Sequence, residues 1–278
     1  MSLVPNVRLN NGVEIPQLGF GVFQIKPEDT VEAVSTALDL GYRHIDTAQM
    51  YGNEKQVGEA IAASGIDRSD LFVTTKLNNG NHATEAALRS LDQSLADLGL
   101  DQVDLFLIHW PLPTVSDYVE TWRALERAYA DGKARSIGLS NFQPHHIRKL
   151  HAETEVRPAV NQIELHPYLT QDELRAFDAE HQIATEAWSP IAQGAVLDDP
   201  TIGSVATAHG KTPAQAVLRW HLQLGNIVFP KSVTPARMRE NFEIFDFELT
   251  DAELGLISAL NRNERTGPDP ETFDYIPS

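Results

Sequence analysis

The sequence of 278 residues predicts an α/β protein with the fold of a (β/α)8 TIM barrel, in a single domain spanning residues 1–278. Eight short apolar runs alternate with helical patterns, which is the order of elements in such a barrel. The runs are nearly continuous rather than alternating, as expected for parallel strands that are buried on both faces. No Pro/Gly-rich linker or change of composition divides the chain. We therefore expect one barrel, with an N-terminal β-hairpin and a C-terminal irregular tail.

The N-terminal segment predicts the hairpin and the first unit of the barrel. Val7 to Ile15 alternates around Asn10-Asn11-Gly12, and Asn-Gly between alternating residues is a strong signal for a tight turn. We expect this hairpin to close the lower end of the barrel, because it precedes the first core strand. That strand is predicted at Leu18–Phe23, and the helix after it is predicted to begin at a Thr30 cap and to end at Gly41.

Seven further strands are predicted, each before a helix. They lie near His44–Ala48, Leu71–Leu77, Val103–Trp110, Ser136–Asn141, Ala159–Leu165, Ile183–Ser189 and Ile227–Ser232. The clearest helix carries leucines at helical spacing from Leu88 to Leu98, and Gly99 closes it. Another begins at Thr212-Pro213, a cap followed by proline in the first turn.

Two other segments have local signals. Asn53, followed three residues later by Gln56, predicts a capping box at the start of a helix. The tail from Arg262 to Ser278 is polar and contains prolines, so we expect an irregular segment that folds back over one face of the barrel.

One motif resembles a dinucleotide-binding fingerprint without matching it. Gly19 to Gln24 reads GxGxxQ, but the third glycine of a Rossmann fingerprint is missing. The next helix is predicted only near Thr30, too late to direct its N-terminus at a pyrophosphate. We interpret these glycines, Gly21 among them, as positions where the backbone at the top of the first strand approaches a ligand.

Charge and composition limit the partners. The net charge of −17 argues against nucleic acid or an anionic membrane as a general partner. The chain has no cysteine, which excludes disulfides and thiolate metal sites and fits a reducing compartment. The N-terminus has no signal-peptide pattern, and no apolar run approaches the roughly 20 residues needed to span a bilayer. We expect a cytoplasmic monomer that acts on small molecules.

Four polar side chains fall at or just after the carboxyl ends of predicted strands. Asp46 ends one strand and Tyr51 lies in the loop that follows it. Lys76 ends LFVTTKL, and His109 lies near the end of VDLFLIHW. Because these ends share one face of a (β/α)8 barrel, where active sites lie, we expect an acid, a phenol, an ammonium and an imidazole to meet there.

Seven segments carry a family resemblance. They are GYRHIDTAQMYGNE, TTKL, FLIHWP, SIGLSN, VNQIELHP, WSP and PKSVTPARMREN, in this order. In them the chain resembles the aldo-keto reductase family from about Val7 to Leu260, and in particular its short bacterial members similar to 2,5-diketo-D-gluconate reductases. The resemblance implies reduction of aldehydes and ketones to alcohols, with NADPH as cofactor.

Tyr51 is then the candidate proton donor. A free phenol has a pKa of ~10 and is a weak acid at neutral pH, so a nearby ammonium is expected to lower that pKa. Lys76 is placed to do so, Asp46 to hold Lys76 charged, and His109 to donate a hydrogen bond to a carbonyl oxygen. Each residue alone has an ordinary structural interpretation, but the four together favour catalysis. They can move a proton but supply no electrons, which indicates a nicotinamide as hydride source.

The resemblance also implies a cofactor site on the later strands. For the nicotinamide and the pyrophosphate, the residues are Ser140, Asn141, Gln162, Trp188 and Ser189. For the 2′-phosphate and the adenine, they are Lys231, Ser232, Arg237, Glu240 and Asn241. A group of cations in an acidic chain favours NADPH over NADH. The alternative is a surface helix with ordinary charges.

The substrate pocket contains one departure from the family pattern. Phe23 and Trp110 match positions that wall the carbonyl site. Many relatives have tryptophan where this chain has Asn78, so we expect a wider and more polar pocket. The alternative is that Asn78 turns away and only shapes the loop Asn78–Asn81.

Two other functions remain open at this stage. A cofactor-bound regulatory or sensor module would keep the nicotinamide site with little turnover, but no extension or hydrophobic docking segment supports it. A barrel hydrolase is disfavoured because the sequence contains no recognisable nucleophile or metal-ligand set.

Overall fold

The computed structural model describes residues 4–277. Its strands are β1 Asn6–Arg8, β2 Glu14–Pro16, β3 Phe20–Gly21, β4 His44–Asp46, β5 Phe72–Leu77, β6 Val103–Ile108, β7 Ala134–Ser140, β8 Val160–Glu164, β9 Ala184–Trp188 and β10 Ile227–Val228. Its α-helices are α1 Pro27–Leu40, α2 Glu54–Ala63, α3 Thr84–Leu98, α4 Tyr118–Ala130, α5 Pro144–Glu153, α6 Asp172–Glu180, α7 Pro200–Ala208, α8 Pro213–Gln223, α9 Pro235–Phe242 and α10 Asp251–Ser258.

Strands β3 to β10 form one parallel sheet, and each is hydrogen-bonded to its neighbour in chain order. The first and last strands meet at a seam, where Leu18 bridges Val228 in parallel. Gly19 N donates to Val228 O at 2.8 Å, and Val228 N donates to Gln17 O at 3.0 Å. These bonds close the sheet into a barrel, which confirms the predicted (β/α)8 fold and excludes a Rossmann sheet.

The regular strands at the seam are shorter than predicted. β3 covers two residues of the predicted Leu18–Phe23, and β10 covers two residues of the predicted Ile227–Ser232. Pro230 lacks a backbone N–H and cannot donate to the ladder beyond β10, although its oxygen accepts from Gly21 N at 3.5 Å. A Cβ on Gly21 would lie 2.7 Å from Phe229 O, so the missing side chain lets the two strands approach closely. A contact of Gly21 with a cofactor remains a prediction.

The hairpin of β1 and β2 closes the N-terminal end of the barrel, as predicted. Asn10 Nδ2 donates to Pro158 O at 2.8 Å, and Asn11 Nδ2 donates to Arg135 O at 3.0 Å, at the starts of β8 and β7. The residues that pack beneath it are apolar: Leu9, Ile15, Phe72, Leu105, Leu107, Ala159, Val160 and Ile227. The barrel is therefore filled and covered at this end.

One predicted helix start and one predicted capping box are wrong. α1 begins at Pro27 rather than after a Thr30 cap, and the Thr30 hydroxyl donates to Lys26 O within the first turn. Proline suits the first turn because its missing N–H would be unpaired there. Asn53 precedes α2 but forms no capping box; its amide donates to Val22 O and Ile25 O instead. The helix ends at Gly41 and Gly99 and the Thr212 cap followed by Pro213 are confirmed.

The tail beyond α10 folds over the C-terminal end of the barrel. From residue 262 to 277 it contains no helix or strand. Gly267 N donates to Glu164 at 3.2 Å, and the Phe273 ring lies 4.3 Å from the Trp110 ring between centroids. The tail therefore covers the face where the predicted site lies. None of the helices among residues 4–277 is both long and apolar enough to cross a membrane.

Candidate active site

Three of the four predicted groups are joined through Lys76. Its Nζ donates to Asp46 Oδ1 at 2.7 Å and to Thr47 O at 2.9 Å, and it lies 3.4 Å from Tyr51 OH. The side chains of Lys76 and Asp46 are 0% and 2% exposed, so solvent screens this ion pair little. The three N–H groups of the ammonium thus meet a carboxylate, a carbonyl and the phenol.

Strand pairing and one tight turn produce this arrangement. β4 and β5 are adjacent, with Asp46 paired to Thr74, and alternation places Thr74 and Lys76 on the same face. After β4, a 3-10 turn at Gln49–Tyr51 returns the chain toward β5. Gly52 ends that turn at φ 66°, a left-handed conformation that favours glycine. Tyr51 is therefore placed by the turn rather than by a strand.

His109 lies beside the phenol. Its ring is 5.8 Å from the Tyr51 ring between centroids, and its backbone oxygen accepts from Asn141 Nδ2 at 2.9 Å. Burial, together with the charge of Lys76, holds the pKa of His109 well below its usual value. The imidazole is therefore neutral, with one N–H to donate. Among residues 4–277, its buried Nδ1 has no hydrogen-bond partner.

Burial is the largest single influence on the pKa values of Asp46, Lys76 and Tyr51, and charged neighbours oppose it. It raises the pKa of Asp46, although the charge of Lys76 opposes it. It lowers the pKa of Lys76, but the charges of Asp46, Tyr51 and Glu186 and the hydrogen bond to Asp46 together outweigh it, and the net shift is upward. Burial also raises the pKa of Tyr51, and Lys76 only partly offsets this. The expectation that Lys76 lowers the pKa of Tyr51 below its ordinary value is therefore wrong for the net shift.

The predicted nicotinamide residues form a network at the ends of β7, β8 and β9. Ser140 Oγ donates to Gln162 O at 3.0 Å, and Asn141 Nδ2 donates to Ser140 Oγ at 3.0 Å. Trp188 Nε1 donates to Asn141 Oδ1 at 2.8 Å. Asn141 and Ser189 have φ of 67° and 50°, which is strained for non-glycine residues and is typical of functional loops.

Gln162 links this network to the charged groups. Its Nε2 donates to Asp46 Oδ2 at 2.9 Å and to Glu186 Oε2 at 2.8 Å. None of the residues in the range 4–277 donates to its amide oxygen, which leaves an acceptor suited to the N–H of a carboxamide. Glu186 was not predicted as a site residue, although a carboxylate inside the strand ATEAW was a signal for it.

The predicted phosphate and adenine residues lie between β10 and the end of α9. Lys231 and Arg237 are exposed, and neither lies within 4.0 Å of a carboxylate in the described part of the chain. Ser232 Oγ accepts from Thr234 N at 3.0 Å. Glu240 accepts from the hydroxyl of Thr212 at 2.7 Å, so it also supports the start of α8. Asn241 is buried in α9. Two exposed cations that have no carboxylate partner among residues 4–277 fit a phosphorylated cofactor.

Aromatic rings surround the phenol and the tail. The Phe23 ring, 53% exposed, lies 5.0 Å from the Tyr51 ring. Trp110 is buried and packs against Phe273 of the tail, which the sequence analysis did not identify. Gly267 passes the edge of the Trp188 ring so closely that a Cβ there would collide with it. The tail thus forms part of the wall around the site.

Asn78 lies beyond the end of β5. Its backbone N donates to Gln49 Oε1 at 2.7 Å, and its side-chain oxygen accepts from Gly80 N at 3.2 Å. The amide oxygen is therefore engaged within the loop, which favours the alternative that Asn78 shapes the turn at Asn79–Asn81. A role in lining the substrate pocket stays a prediction.

Glu164 anchors the tail and was also missed. It is buried at the end of β8 and accepts from the hydroxyl of Thr266 at 2.6 Å and from His166 at 3.1 Å. These bonds outweigh burial and lower the pKa of Glu164, so the carboxylate is charged. The signal for Glu164 in the sequence was the carboxylate in VNQIELHP, for which no role was predicted.

Comparison with known proteins agrees with this geometry. The model of the aldo/keto reductase family matches residues 17–262. An aldo-keto reductase of Mycobacterium sp. (strain JLS) is 55% identical over 271 residues, 98% of each chain. Methylglyoxal reductase DkgA of Escherichia coli (strain K12) is 48% identical over 269 residues, 96% of this chain and 97% of that protein. A Gox0644 mutant crystallised with NADPH superimposes with a TM-score of 0.94 at 42% identity, covering 98% of this chain and 99% of that one. The chain therefore belongs to the aldo/keto reductase family.

Proposed function

We propose that this protein reduces aldehydes and ketones to alcohols with NADPH, and that Tyr51 is the proton donor. The observation that carries the proposal is the position of Tyr51 OH, 3.4 Å from the buried ammonium of Lys76. A relative named methylglyoxal reductase and a structural neighbour crystallised with NADPH support the same class of reaction.

The residues of this chain supply the proton and hold the substrate oxygen. When bound, the nicotinamide supplies the hydride. His109, neutral and buried, donates a hydrogen bond to the carbonyl oxygen and orients it. Tyr51 gives its proton to that oxygen as negative charge develops there. The phenolate that remains is stabilised by Lys76, which Asp46 holds in place.

The raised pKa of Tyr51 is compatible with this role. An alkoxide is a much stronger base than a phenolate, so proton transfer from even a weakened phenol is downhill. Burial keeps the phenol protonated before reaction, and Lys76 acts mainly on the charged product of the transfer. The same arrangement, run in reverse, lets the phenolate take a proton from an alcohol.

Ser140, Asn141 and Gln162 would hold the nicotinamide carboxamide, with Trp188 against the ring. Lys231 and Arg237 would hold the 2′-phosphate, each through charge-assisted hydrogen bonds worth about 1.5–3 kcal/mol. We therefore propose a preference for NADPH over NADH, which fluorescence titration of the protein with each cofactor measures directly.

The test of the proposed function is Tyr51→Phe. It removes the proton donor without changing the ring, so we expect single-turnover reduction of methylglyoxal to fall by about 10²-fold or more. NADPH affinity should stay within a few-fold, because the hydroxyl acts on the substrate. Tyr118→Phe is the matched control, since Tyr118 is a buried tyrosine on α4, among Phe142 and His146. Retention of most activity in the Tyr51 variant would exclude Tyr51 as the donor.

A further inference from the structure

Two buried amide–carboxyl pairs lie on opposite faces of β8, one toward β9 and the other toward α6. Inside the barrel, Gln162 Nε2 donates to Glu186 Oε2 at 2.8 Å. Outside it, Asn161 Nδ2 lies 3.3 Å from Asp178 Oδ2 on α6. All four side chains are buried. Only the inner pair touches the charged groups of the site, so the outer pair provides an internal reference for it.

The inner pair fixes the orientation of one amide. Asp46 Oδ2 lies 2.9 Å and Glu186 Oε2 lies 2.8 Å from the same nitrogen of Gln162. An amide has two N–H groups on that nitrogen, so each carboxyl group can receive one of them. The amide oxygen then turns away from both. Without Glu186, Asp46 would be the only acceptor that determines which way the amide points.

The surroundings of Glu186 contain few other charges. Asp46 on β4 and Lys76 on β5 act on it from across the barrel, and its neighbours on β10 are Ile227 and Val228. Glu186 is fully buried, and its Oε1 has no hydrogen-bond partner among residues 4–277. A charged carboxylate in such a place is unfavourable, because burial removes the water that would solvate its charge.

We infer that Glu186 is a positioning residue for the proposed reaction. Its carboxyl group holds the Gln162 amide in one orientation. In that orientation one N–H of the amide orients Asp46, and the amide oxygen faces the nicotinamide carboxamide. This inference rests on the proposed function. Glu186 touches neither substrate nor cofactor, and it acts through Gln162.

A dependence on pH follows from this geometry. Burial, reinforced by the charge of Asp46, raises the pKa of Glu186 to about 8, so the group is uncharged at neutral pH. Above that pH it becomes a second carboxylate beside Asp46. The added negative charge opposes formation of the Tyr51 phenolate, so the reduction rate should fall as pH rises through this range.

Two substitutions separate positioning from charge. Glu186→Gln keeps an acceptor oxygen but cannot ionise, so kcat at pH 6.5 should stay within about threefold and the fall near pH 8 should disappear. Glu186→Met keeps the length but removes the acceptor. Loss of one hydrogen bond predicts a decrease of roughly 3- to 10-fold in kcat and a similar weakening of NADPH binding. Asp178→Asn is the control, and it should change neither the pH profile nor NADPH binding.

A second measurement does not depend on turnover. Difference infrared spectra of the protein without cofactor should show a buried protonated carboxyl component that fades as the pH rises through 8, is lost in Glu186→Gln and is retained in Asp178→Asn. Persistence of the kinetic fall near pH 8 in Glu186→Gln, or unchanged kcat and NADPH binding in folded Glu186→Met, would overturn the inference. If the unaltered protein reduces no carbonyl, the proposed function fails. The infrared component and NADPH binding then decide whether Glu186 positions the Gln162 amide for the cofactor: the component together with weakened binding in Glu186→Met upholds this positioning, and absence of either overturns it.

Discussion

β5 carries Phe72 and Lys76 four residues apart, one at each end of the barrel interior. The N-terminal end is filled by the apolar residues Leu9, Ile15, Phe72, Leu105, Leu107, Ala159, Val160 and Ile227. The C-terminal end is filled by the hydrogen-bonded polar residues Asp46, Lys76, Gln162 and Glu186. The same strands therefore supply a packed core at one end and a charged site at the other.

The two ends should respond differently to substitution. Apolar packing is lost in proportion to the atoms removed, and the remaining side chains keep their own contacts. In the polar layer each group determines the charge or orientation of the next, so removal of one leaves another buried group without its partner. The contrast between the two ends fails if a polar-end variant loses stability but not activity, as a packing variant should. It also fails if an apolar-end variant loses activity while it remains folded.

The largest effect is expected for Lys76→Met. It leaves Asp46 buried without its cation, and such a change typically costs 3–5 kcal/mol of stability. It also removes the ammonium that stabilises the Tyr51 phenolate, so reduction should fall by about 10²-fold or more. Thermal unfolding and single-turnover kinetics measure the two effects. Lys133→Met is the matched control, because its pair with Asp92 is partly exposed and worth about 0–1 kcal/mol.

The loss of stability in Lys76→Met should depend on pH. Burial raises the pKa of Asp46, and removal of Lys76 removes the largest opposing influence. The native state then holds a proton on Asp46 at pH values where the unfolded chain has released it. Stability therefore increases as pH falls toward the ordinary pKa of aspartate and decreases as pH rises. An equal loss at pH 5 and pH 8 would contradict this account.

A smaller effect, confined to stability, is expected for Leu105→Ala. Leu105 is fully buried in the apolar end, and truncation of such a residue costs about 2–5 kcal/mol. Because Leu105 belongs to the apolar cluster at the N-terminal end, kcat and NADPH affinity should be unchanged below the melting transition. Leu88→Ala, at a half-buried position on α3, should cost less. A large fall in kcat of folded Leu105→Ala would show that the two ends are coupled.

Sequence patterns predicted one end better than the other. The eight strands, the hairpin and the tail follow from local apolar runs, turn signals and proline content, which depend on nearby residues. The Glu186 side chain could not be assigned, because its role depends on Gln162 and Asp46 from two other strands. The predicted direction of the Tyr51 pKa shift was wrong for a similar reason, because the burial that raises this pKa depends on the whole fold. Thr30 was misplaced because a proline three residues earlier also suits a helix start.

The smallest effect concerns Asn78, at the rim of the polar end. Its side-chain oxygen accepts from Gly80 N at 3.2 Å, an exposed bond whose loss should cost about 0.5–1.5 kcal/mol. Asn78→Ala should therefore lower the melting temperature slightly and leave both an aromatic aldehyde and a sugar ketone with unchanged kcat/KM. Asn78→Trp removes the same bond but adds an apolar face, and side chains of that size bury roughly 150–250 Å². If the position borders the pocket, Asn78→Trp alone lowers KM for the aromatic aldehyde and raises it for the sugar ketone. If both variants change kcat/KM for both substrates alike, Asn78 acts only through the loop. The polar layer of this end then does not extend to the substrate pocket.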